Sequence, residues 1–302
     1  MTVKYQSARL RHIDSNGIES WQSIMPHKIQ ERPERGDLIC IGCQTWMTWQ
    51  RSFTNQHGTE VPAILRLWKG HQHEVDCKLN LDTLQADLYK AHPEVISLEN
   101  KVLYLHLPNE EQQKARQPAT TGGHHRNNAE LWTQTMHSAT AIARFLRNFD
   151  DPDDLLKRLM IRYRDPNNDI KTMFWADFCF HADSPQAGQY LHRLRGKHPQ
   201  TKAAPVAVIF PVKQDPKLNH KGTQRFFRIK TGQHVHIDNE QQTLMLSLAE
   251  YLTVTRSRLE RYKPGSTVIV LGHGHEFGWP ATADPIREIR IQIRESWQIA
   301  EL

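Results

Sequence analysis

The sequence predicts an α+β protein with a β-rich module at its start, a helical middle and a β-rich C-terminal domain. Between residues 129 and 149, apolar residues recur every three or four positions, as in a helix. After residue 203, apolar and polar residues alternate in several segments, as in strands. The first region has short strand-like pieces around a Cys-x-x-Cys motif. We therefore expect four regions: 1–106, a polar linker over 107–128, a helical segment over 129–202, and 203–302.

The composition is that of a globular protein. The chain has 302 residues, of which 38% are hydrophobic and 24% charged, enough to bury a core in two or three domains. We expect a cytoplasmic location with no membrane association, because no apolar run reaches the roughly 18–20 residues of a membrane helix and residues 1–6 do not begin a signal peptide. The formal charge of +6 gives a mild preference for polyanions.

The middle segment is predicted to contain three helices. The first has an apolar face of Leu131, Thr135, Ala139, Ile142, Leu146 and Phe149, and Asn128 can cap its start. The second is predicted over Asp153–Tyr163 and the third over Pro185–Arg195. Between them, the aromatic stretch Lys171–Phe180 is predicted to be a strand.

The C-terminal region has a β-β-β-α-β-β pattern. Its elements are strands at Pro205–Val212, Arg225–Lys230 and Gln233–Asp238, a helix at Gln241–Tyr262, and strands at Thr267–Leu271 and Ile289–Arg294. This order resembles the OB-fold, a five-stranded, partly open β-barrel whose members often bind oligonucleotides. The resemblance implies an OB-like barrel over residues 203–302.

The cysteine spacing predicts a metal site. Cys40 and Cys43 flank a glycine-containing turn, and His73 and Cys77 follow after a long gap, so the four fit a Cys3His zinc tetrahedron. His71 is an alternative fourth ligand. The other interpretations are three buried thiols with a surface histidine, or a redox Cys-x-x-Cys, which no helix start supports.

The same N-terminal residues resemble a known family. Ala8, the stretch Gly36–Cys43, and Arg66–Gly70 leading to His73 and Cys77 look like the zinc-binding head of competence-protein CoiA-like sequences. This resemblance covers about the first quarter of the chain and implies a zinc-ribbon-like module attached to DNA-processing machinery. CoiA-like proteins carry a nuclease-like domain after this head. The best match to a PD-(D/E)xK pattern here is Pro152-Asp153 with Asp169-Ile170-Lys171, which we interpret as a helix start and a turn.

Strand alternation in the C-terminal region predicts a nucleic-acid-binding face. Phe227, Ile229, Val235 and Ile237 would face the core, and the residues between them would face outwards. The loops add further candidates between the first two strands and between the last two, where His273, His275, Phe277 and Trp279 fall. The predicted contact residues combine cations for phosphates with flat rings for bases; they are Lys213, Lys221, Phe226, Arg228, Lys230, His234, His236, His273, His275, Phe277 and Trp279. An ordinary solvated or protein-binding face would have a similar pattern. The pairs His234/His236 and His273/His275 also leave a catalytic metal site open.

These patterns lead to three functional hypotheses. The first is a non-enzymatic nucleic-acid-binding accessory protein that prefers single-stranded DNA, holds a structural zinc ion and serves recombination, replication or mobile-element transfer. The second is a metal-dependent nuclease acting through Asp153, Asp169 and Lys171. The third is an adaptor whose two modules bind protein partners.

Overall fold

A computed structural model describes residues 3–108, 128–165, 167–195, 205–219, 221–237, 240–251, 257–278 and 286–302. The fold is mixed α+β, as the sequence predicts, but the described residues form more strands than helices, and four of the strands lie in the predicted helical middle. The chain divides into two compact units. Unit 1 comprises Met1–Pro93, Leu98–Leu103 and Ala141–Leu159, and unit 2 comprises Glu94–Ser97, Tyr104–Thr140 and Met160–Leu302. Most of the predicted linker, residues 109–127, lies outside the described residues.

The first part of the chain consists of short strands and two longer helices. Its strands are β1 (Lys4–Tyr5), β2 (Ala8–Ile13), β3 (Glu19–Ile24), β4 (Leu38–Cys40), β5 (Met47–Gln50), β6 (Phe53–Thr54), β7 (Glu60–Val61), β8 (Ile64–Leu67), β9 (Ile96–Glu99), β10 (Val102–His106) and β11 (Phe149–Asp151). Its helices are α1 (Leu81–Ala91) and α2 (Asn128–Leu146), with a 3-10 turn at Pro26–Lys28. The helix predicted from residue 129 is therefore confirmed as α2.

Unit 1 is organised around two small sheets. One has the strand order β11-β1-β8-β5, and the other has the order β3-β2-β4. Helix α1 begins where the Asn80 side chain accepts a hydrogen bond from the Asp82 amide, as expected of an N-cap. The two ligand-bearing segments of the predicted metal site are the end of β4 and the loop between β8 and α1.

The remaining elements include three short or medium helices and the long strands of the C-terminal region. The strands are β12 (Leu159–Arg164), β13 (Ile170–Phe174), β14 (Cys179–His181), β15 (Val206–Pro211), β16 (Lys217–Leu218), β17 (Gln224–Ile237), β18 (Glu240–Tyr251), β19 (Thr267–Gly272), β20 (Gly274–Gly278), β21 (Ile286–Ile293) and β22 (Ile299–Glu301). The helices are α3 (Asp153–Leu156), α4 (Trp175–Phe178) and α5 (Pro185–Arg195), with 3-10 turns at Leu259–Arg261 and Ser296–Gln298.

Two of the predictions for the middle segment need correction. The helix predicted over Asp153–Tyr163 ends at Leu156, and β12 follows because Leu159 and Ile161, two positions apart, are both buried. The strand predicted over Lys171–Phe180 is interrupted by α4, which buries Trp175 and Phe178. The helix predicted over Pro185–Arg195 is confirmed as α5. Strands β12 and β13 belong to a sheet with the order β13-β12-β10-β9.

The C-terminal part of unit 2 contains two sheets and one shared core. One sheet has the order β14-β15-β19-β22 and the other β16-β17-β18-β21-β20. A single buried cluster takes side chains from both sheets and from α5, for example Val208, Phe227, Leu246, Ile291 and Tyr190. Each such side chain contributes about 1.5–3 kcal/mol of hydrophobic stabilisation.

The predicted five-stranded OB-like barrel is not confirmed. The described strands of residues 203–302 lie in the two sheets just given, and they form no closed barrel. The helix predicted over Gln241–Tyr262 is wrong over residues 241–251, which belong to β18, and Leu259–Arg261 form only a 3-10 turn. Leu244, Leu246 and Leu248 are all fully buried, and only a strand puts three residues spaced by two on one face.

The two strands predicted at Arg225–Lys230 and Gln233–Asp238 are parts of one strand, β17. Its pairing with β18 shifts between Lys230 and His234, and Gly232 there has a φ of +71°, which a residue with a side chain rarely adopts. Phe227, Ile229 and Val235 remain on the core face on both sides of the irregularity. In the described part of the chain, no helix has the length and apolarity needed to cross a membrane.

Candidate metal centre and outer sheet face

The four predicted metal ligands meet in unit 1. Cys40 ends β4, Cys43 follows in the next turn, and His73 and Cys77 lie in the loop before α1; one donor atom from each falls within 4.8 Å of all the others. The Sγ atoms of Cys40 and Cys77 are 3.9 Å apart, and Nδ1 of His73 lies 3.5 Å from Sγ of Cys43 and 3.4 Å from Sγ of Cys77. A tetrahedron with Zn–S bonds of about 2.3 Å separates its sulfurs by about 3.8 Å, so this donor set fits zinc.

Backbone contacts hold the two cysteine turns in place. The Gly42 amide donates to Sγ of Cys40 at 3.3 Å, and the Leu79 amide donates to Sγ of Cys77 at 3.4 Å. The guanidinium of Arg9 on β2 donates to the carbonyls of Cys40 and Cys43. At Gly42 an added Cβ would lie 3.0 Å from Sγ of Cys77, so the close approach of the two turns requires a very small residue between the first two cysteines.

The structure distinguishes between the two histidines that compete for the fourth position. His73 lies in the cluster, whereas the ring of His71 stacks on Trp46 with centroids 5.5 Å apart. Nε2 of His73 is 2.8 Å from the hydroxyl of Tyr5. If Nδ1 binds a metal ion, the ring proton sits on Nε2 and donates to Tyr5, which fixes the ring orientation. Tyr5 was not identified from the sequence, because its partner is 68 positions away.

At Cys43, burial is outweighed by hydrogen bonds involving Thr45, Glu74 and Cys77, which lower the pKa of that thiol, whereas at the other three ligands the largest effect is burial. Burial raises the pKa of the Cys77 thiol to about 12 and also raises the pKa of Cys40. Burial lowers the pKa of His73, which favours the neutral imidazole that can act as a ligand. The three cysteines are buried, so the four side chains enclose the site. The arrangement is compatible with a structural zinc ion, since structural sites have four protein ligands and no open position.

The second candidate site is on unit 2, on the face of the β16-β17-β18-β21-β20 sheet opposite the core; we call it the outer face. The guanidinium of Arg290 lies over the rings of Phe226, at 4.9 Å, and Phe277, at 4.1 Å, and Arg228 lies over Phe226 at 4.3 Å. Phe226 is only 4% exposed beneath these cations, whereas Phe277 is 40% exposed. Arg290 therefore joins two of the predicted contact residues that belong to different strands.

A buried carboxylate fixes Arg290 on this face. Glu288 is fully buried, accepts a hydrogen bond from the Ser247 hydroxyl and pairs with Nε of Arg290 at 3.0 Å. The paired charge holds the guanidinium against the two phenylalanine rings. Arg290 was not among the predicted contact residues, although it lies on the polar side of the strand predicted at Ile289–Arg294.

The other predicted contact residues are spread more widely. Lys230, His234 and His236 are exposed along β17, and His275 is exposed on β20 opposite Arg290. Lys213 lies exposed between β15 and β16, Lys221 lies exposed between β16 and β17, and His273 immediately precedes β20. Trp279 lies outside the described residues. The segment expected to be a loop containing His275 and Phe277 is strand β20.

The His273-Gly274-His275 sequence has a packing explanation. The Gly274 amide donates to the hydroxyl of Tyr190 at 3.0 Å, and a Cβ at Gly274 would lie 2.6 Å from the Tyr190 ring. The glycine between the two histidines therefore accommodates α5. Among the described residues, the Cys3His cluster is the only group of three or more Cys, His, Asp or Glu side chains close enough to hold a metal ion. His273 and His275 therefore do not belong to a second metal cluster of described residues.

The residues of the nuclease hypothesis have local roles. Asp153 begins the short helix α3. Asp165 accepts hydrogen bonds from the Asn167 and Asp169 amides, which forms the turn before β13. Lys171 lies 3.5 Å from Asp169 and 3.7 Å from Asp165, so its charge is neutralised within that turn.

Comparison with models of known protein families gives no match to this chain, and no curated protein matches it.

Proposed function

We propose that this chain is a nucleic-acid-binding accessory protein that prefers single strands and binds them on the outer face of unit 2. The observation that carries the proposal is the guanidinium of Arg290 held over Phe226 and the exposed Phe277. Single-stranded nucleic acid needs flat surfaces for its bases and cations for its phosphates. The exposed Lys230, His234 and His275 extend the same face.

The side chains of the outer face are preorganised before a ligand binds, which favours affinity. Arg290 is paired with the buried Glu288, so little side-chain freedom is left for a ligand to remove. A base stacked on Phe277 contributes roughly 1–3 kcal/mol to the binding free energy, and any of the bases can stack in this way. Phosphate contacts carry no sequence information, so we expect weak sequence preference.

The Cys3His cluster has a structural role in this proposal. A zinc ion held by Cys40, Cys43, His73 and Cys77 would tie the end of β4 to the loop before α1 and contribute to folding rather than to a reaction. The CoiA-like pattern of these residues supports a place in recombination, replication or mobile-element transfer, since such heads accompany DNA-processing machinery.

The test is fluorescence-anisotropy binding of labelled single-stranded and duplex DNA over a salt series. We compare the double variant Phe277→Ala/Lys230→Ala with Phe174→Ala/Lys90→Ala, which removes one exposed aromatic ring and one exposed lysine elsewhere. We expect the first variant to lose roughly tenfold or more in affinity for single strands, because it lacks a stacking ring and a cation. The second variant should bind like the wild type.

Three results would count against the proposal. They are no binding of single strands at low salt, equal losses in the two double variants, and tighter binding of duplex than of single strands. Cleavage of the labelled strand that requires magnesium or manganese would instead support the nuclease hypothesis, and Asp169→Ala should then abolish it.

A further inference from the structure

Unit 1 contains a groove beside β5, the edge strand of the β11-β1-β8-β5 sheet. Its volume is about 490 Å³, and its walls are residues 32–35, Met47–Trp49 of β5, and Trp68. Leu38 and Met47 are buried at its base, so the base is apolar. A groove of this size lies within the range of small-ligand sites.

One wall carries a stack of flat side chains. The guanidinium of Arg35 lies over the ring of Trp46 at 5.0 Å and over that of Trp68 at 5.4 Å. The His71 ring lies against Trp46 with an interplanar angle of 25°. Trp46, just before β5, and Trp68, just after β8, are adjacent, because the Trp68 amide donates to the Trp46 carbonyl. The stack therefore has a rigid base.

Within the described ranges, the two arginines of the groove, Arg32 and Arg35, form no ion pair with a carboxylate. Both side chains are exposed. A guanidinium stacked on an indole ring keeps its N–H donors at its edge, where they match the oxygens of a phosphate. The groove thus offers two guanidinium groups against a single lining carboxylate, Glu34, next to aromatic rings and an apolar base.

We propose that this groove binds one or two nucleotides of a single-stranded nucleic acid. Arg35, with Arg32 beside it, contacts phosphate, and a base stacks on Trp68; Trp46 and His71 position Arg35. The inference rests on the proposed function and adds to it a second contact surface in the other unit. The ligand combines a flat ring with an anion, which fits this groove better than an anionic peptide lacking aromatic rings.

The test uses the full-length, zinc-loaded chain and a labelled oligothymidylate over a salt series. Arg35→Ala should weaken binding about tenfold and lower the salt slope by about one, since one phosphate contact is lost. Arg51→Ala, which removes an exposed arginine just after β5, should change neither quantity. Arg35→Lys should restore the salt slope but not the full affinity, because a lysine is a point charge without a stacking plane.

A second measurement locates the ligand. Photocrosslinking with oligonucleotides that contain 5-iododeoxyuridine should label the peptide that carries Trp68, and Arg35→Ala should reduce that labelling. If Arg35→Ala binds like the wild type while Phe277→Ala/Lys230→Ala loses affinity, the groove does not bind nucleic acid and the proposed function still stands. If the wild type does not bind at about 50 mM salt, both the proposed function and the groove inference are wrong. Displacement of the oligonucleotide by polyglutamate of equal charge would also overturn the inference, since the groove would then be a general anion site.

Discussion

In unit 1 the strands are two to six residues long, whereas unit 2 contains strands of fourteen and twelve residues. Both units leave some large apolar side chains exposed, such as Ile13 and Ile18 in unit 1 and Ile170 and Leu218 in unit 2. Unit 2 buries one continuous cluster that joins two sheets and α5. Short strands are typical of small modules that need a metal ion or another crosslink. We therefore expect the fold of unit 1 to depend on metal and that of unit 2 on apolar burial.

Metal removal should have the largest effect, and it tests the comparison directly. Structural zinc sites contribute apparent free energies of roughly 10–16 kcal/mol, more than most domains have in total. We expect a chelator, or Cys77→Ser, to remove the hydrogen-exchange protection of β4, β8 and the loop before α1. Strands β17 and β18 should remain protected, and hydrogen exchange read peptide by peptide separates the two responses.

Cys179→Ala is the control for this experiment. Cys179 is a buried cysteine of β14 in unit 2 and lies outside the metal cluster, so this variant should retain one zinc ion per chain. Full protection of unit 1 after metal removal would show that the short strands suffice alone. Loss of protection in both units would show that their stabilities are not separate.

The Cys3His cluster could be predicted from the sequence, whereas β18 could not, for a physical reason. Cysteine and histidine at C-x2-C and H-x3-C spacing are few in number and have specific chemistry, so the four ligands stand out. The residues of β18 are ambiguous, because Leu244 and Leu248 fit both a helical repeat and a strand repeat. Leu246 breaks the tie in favour of a strand, and Leu, Met, Ala and Glu in this segment favour a helix by propensity. Tertiary pairing with β17 and β21 overrides that propensity.

The outer face was predicted in part, for a related reason. Alternation assigns Phe227 and Ile229 to the core and Arg228 and Lys230 to the opposite face, which requires only the period of a strand. Alternation does not reveal which strands lie side by side. The contact of Arg290 with Phe226 depends on β18 lying between β17 and β21, and this order is a property of the whole sheet.

Protonation of one buried carboxylate in unit 2 should produce a smaller effect. Glu250 is 2% exposed at the end of β18. Burial alone would raise the pKa of this carboxyl, but hydrogen bonds from the Arg258 and Leu259 amides, the Ser257 hydroxyl and the Arg258 guanidinium outweigh burial and lower it. A carboxyl with a lowered pKa stabilises the fold above its unfolded pKa and loses this contribution as the pH falls through its folded value.

The Glu250→Gln variant measures this contribution. At neutral pH we expect it to lower the free energy of unfolding of unit 2 by about 1.5–3 kcal/mol, because charge-assisted hydrogen bonds are lost in a buried setting. The difference from the wild type should shrink once the pH falls below the ordinary range of a glutamate. Glu260→Gln is the matched control, since Glu260 pairs with Arg225 at 2.7 Å but is half-exposed and should contribute less than about 1 kcal/mol. A difference for Glu250→Gln that is independent of pH would contradict the role given to its charge.

The smallest effect should come from the hydroxyl of Tyr5, which separates two ways of stabilising the metal site. Tyr5 packs its ring against Phe149 and places its hydroxyl 2.8 Å from His73. Burial, together with the neighbouring Cys40, Cys77 and Cys43, raises the pKa of this phenol, so it is neutral at physiological pH and acts through hydrogen bonding. Tyr5→Phe keeps the ring and removes only that bond, so we expect zinc affinity to fall about 10- to 100-fold, as is usual when the partner of a metal-bound histidine is lost.

Competition with a zinc-binding dye measures the affinity, and Tyr89→Phe on the exposed side of α1 is the control. If Tyr5→Phe binds zinc as tightly as the wild type, packing alone orients His73. If zinc affinity falls while hydrogen exchange of the zinc-loaded unit 1 is unchanged, the Tyr5 hydroxyl acts on the metal ligand rather than on the packing around it.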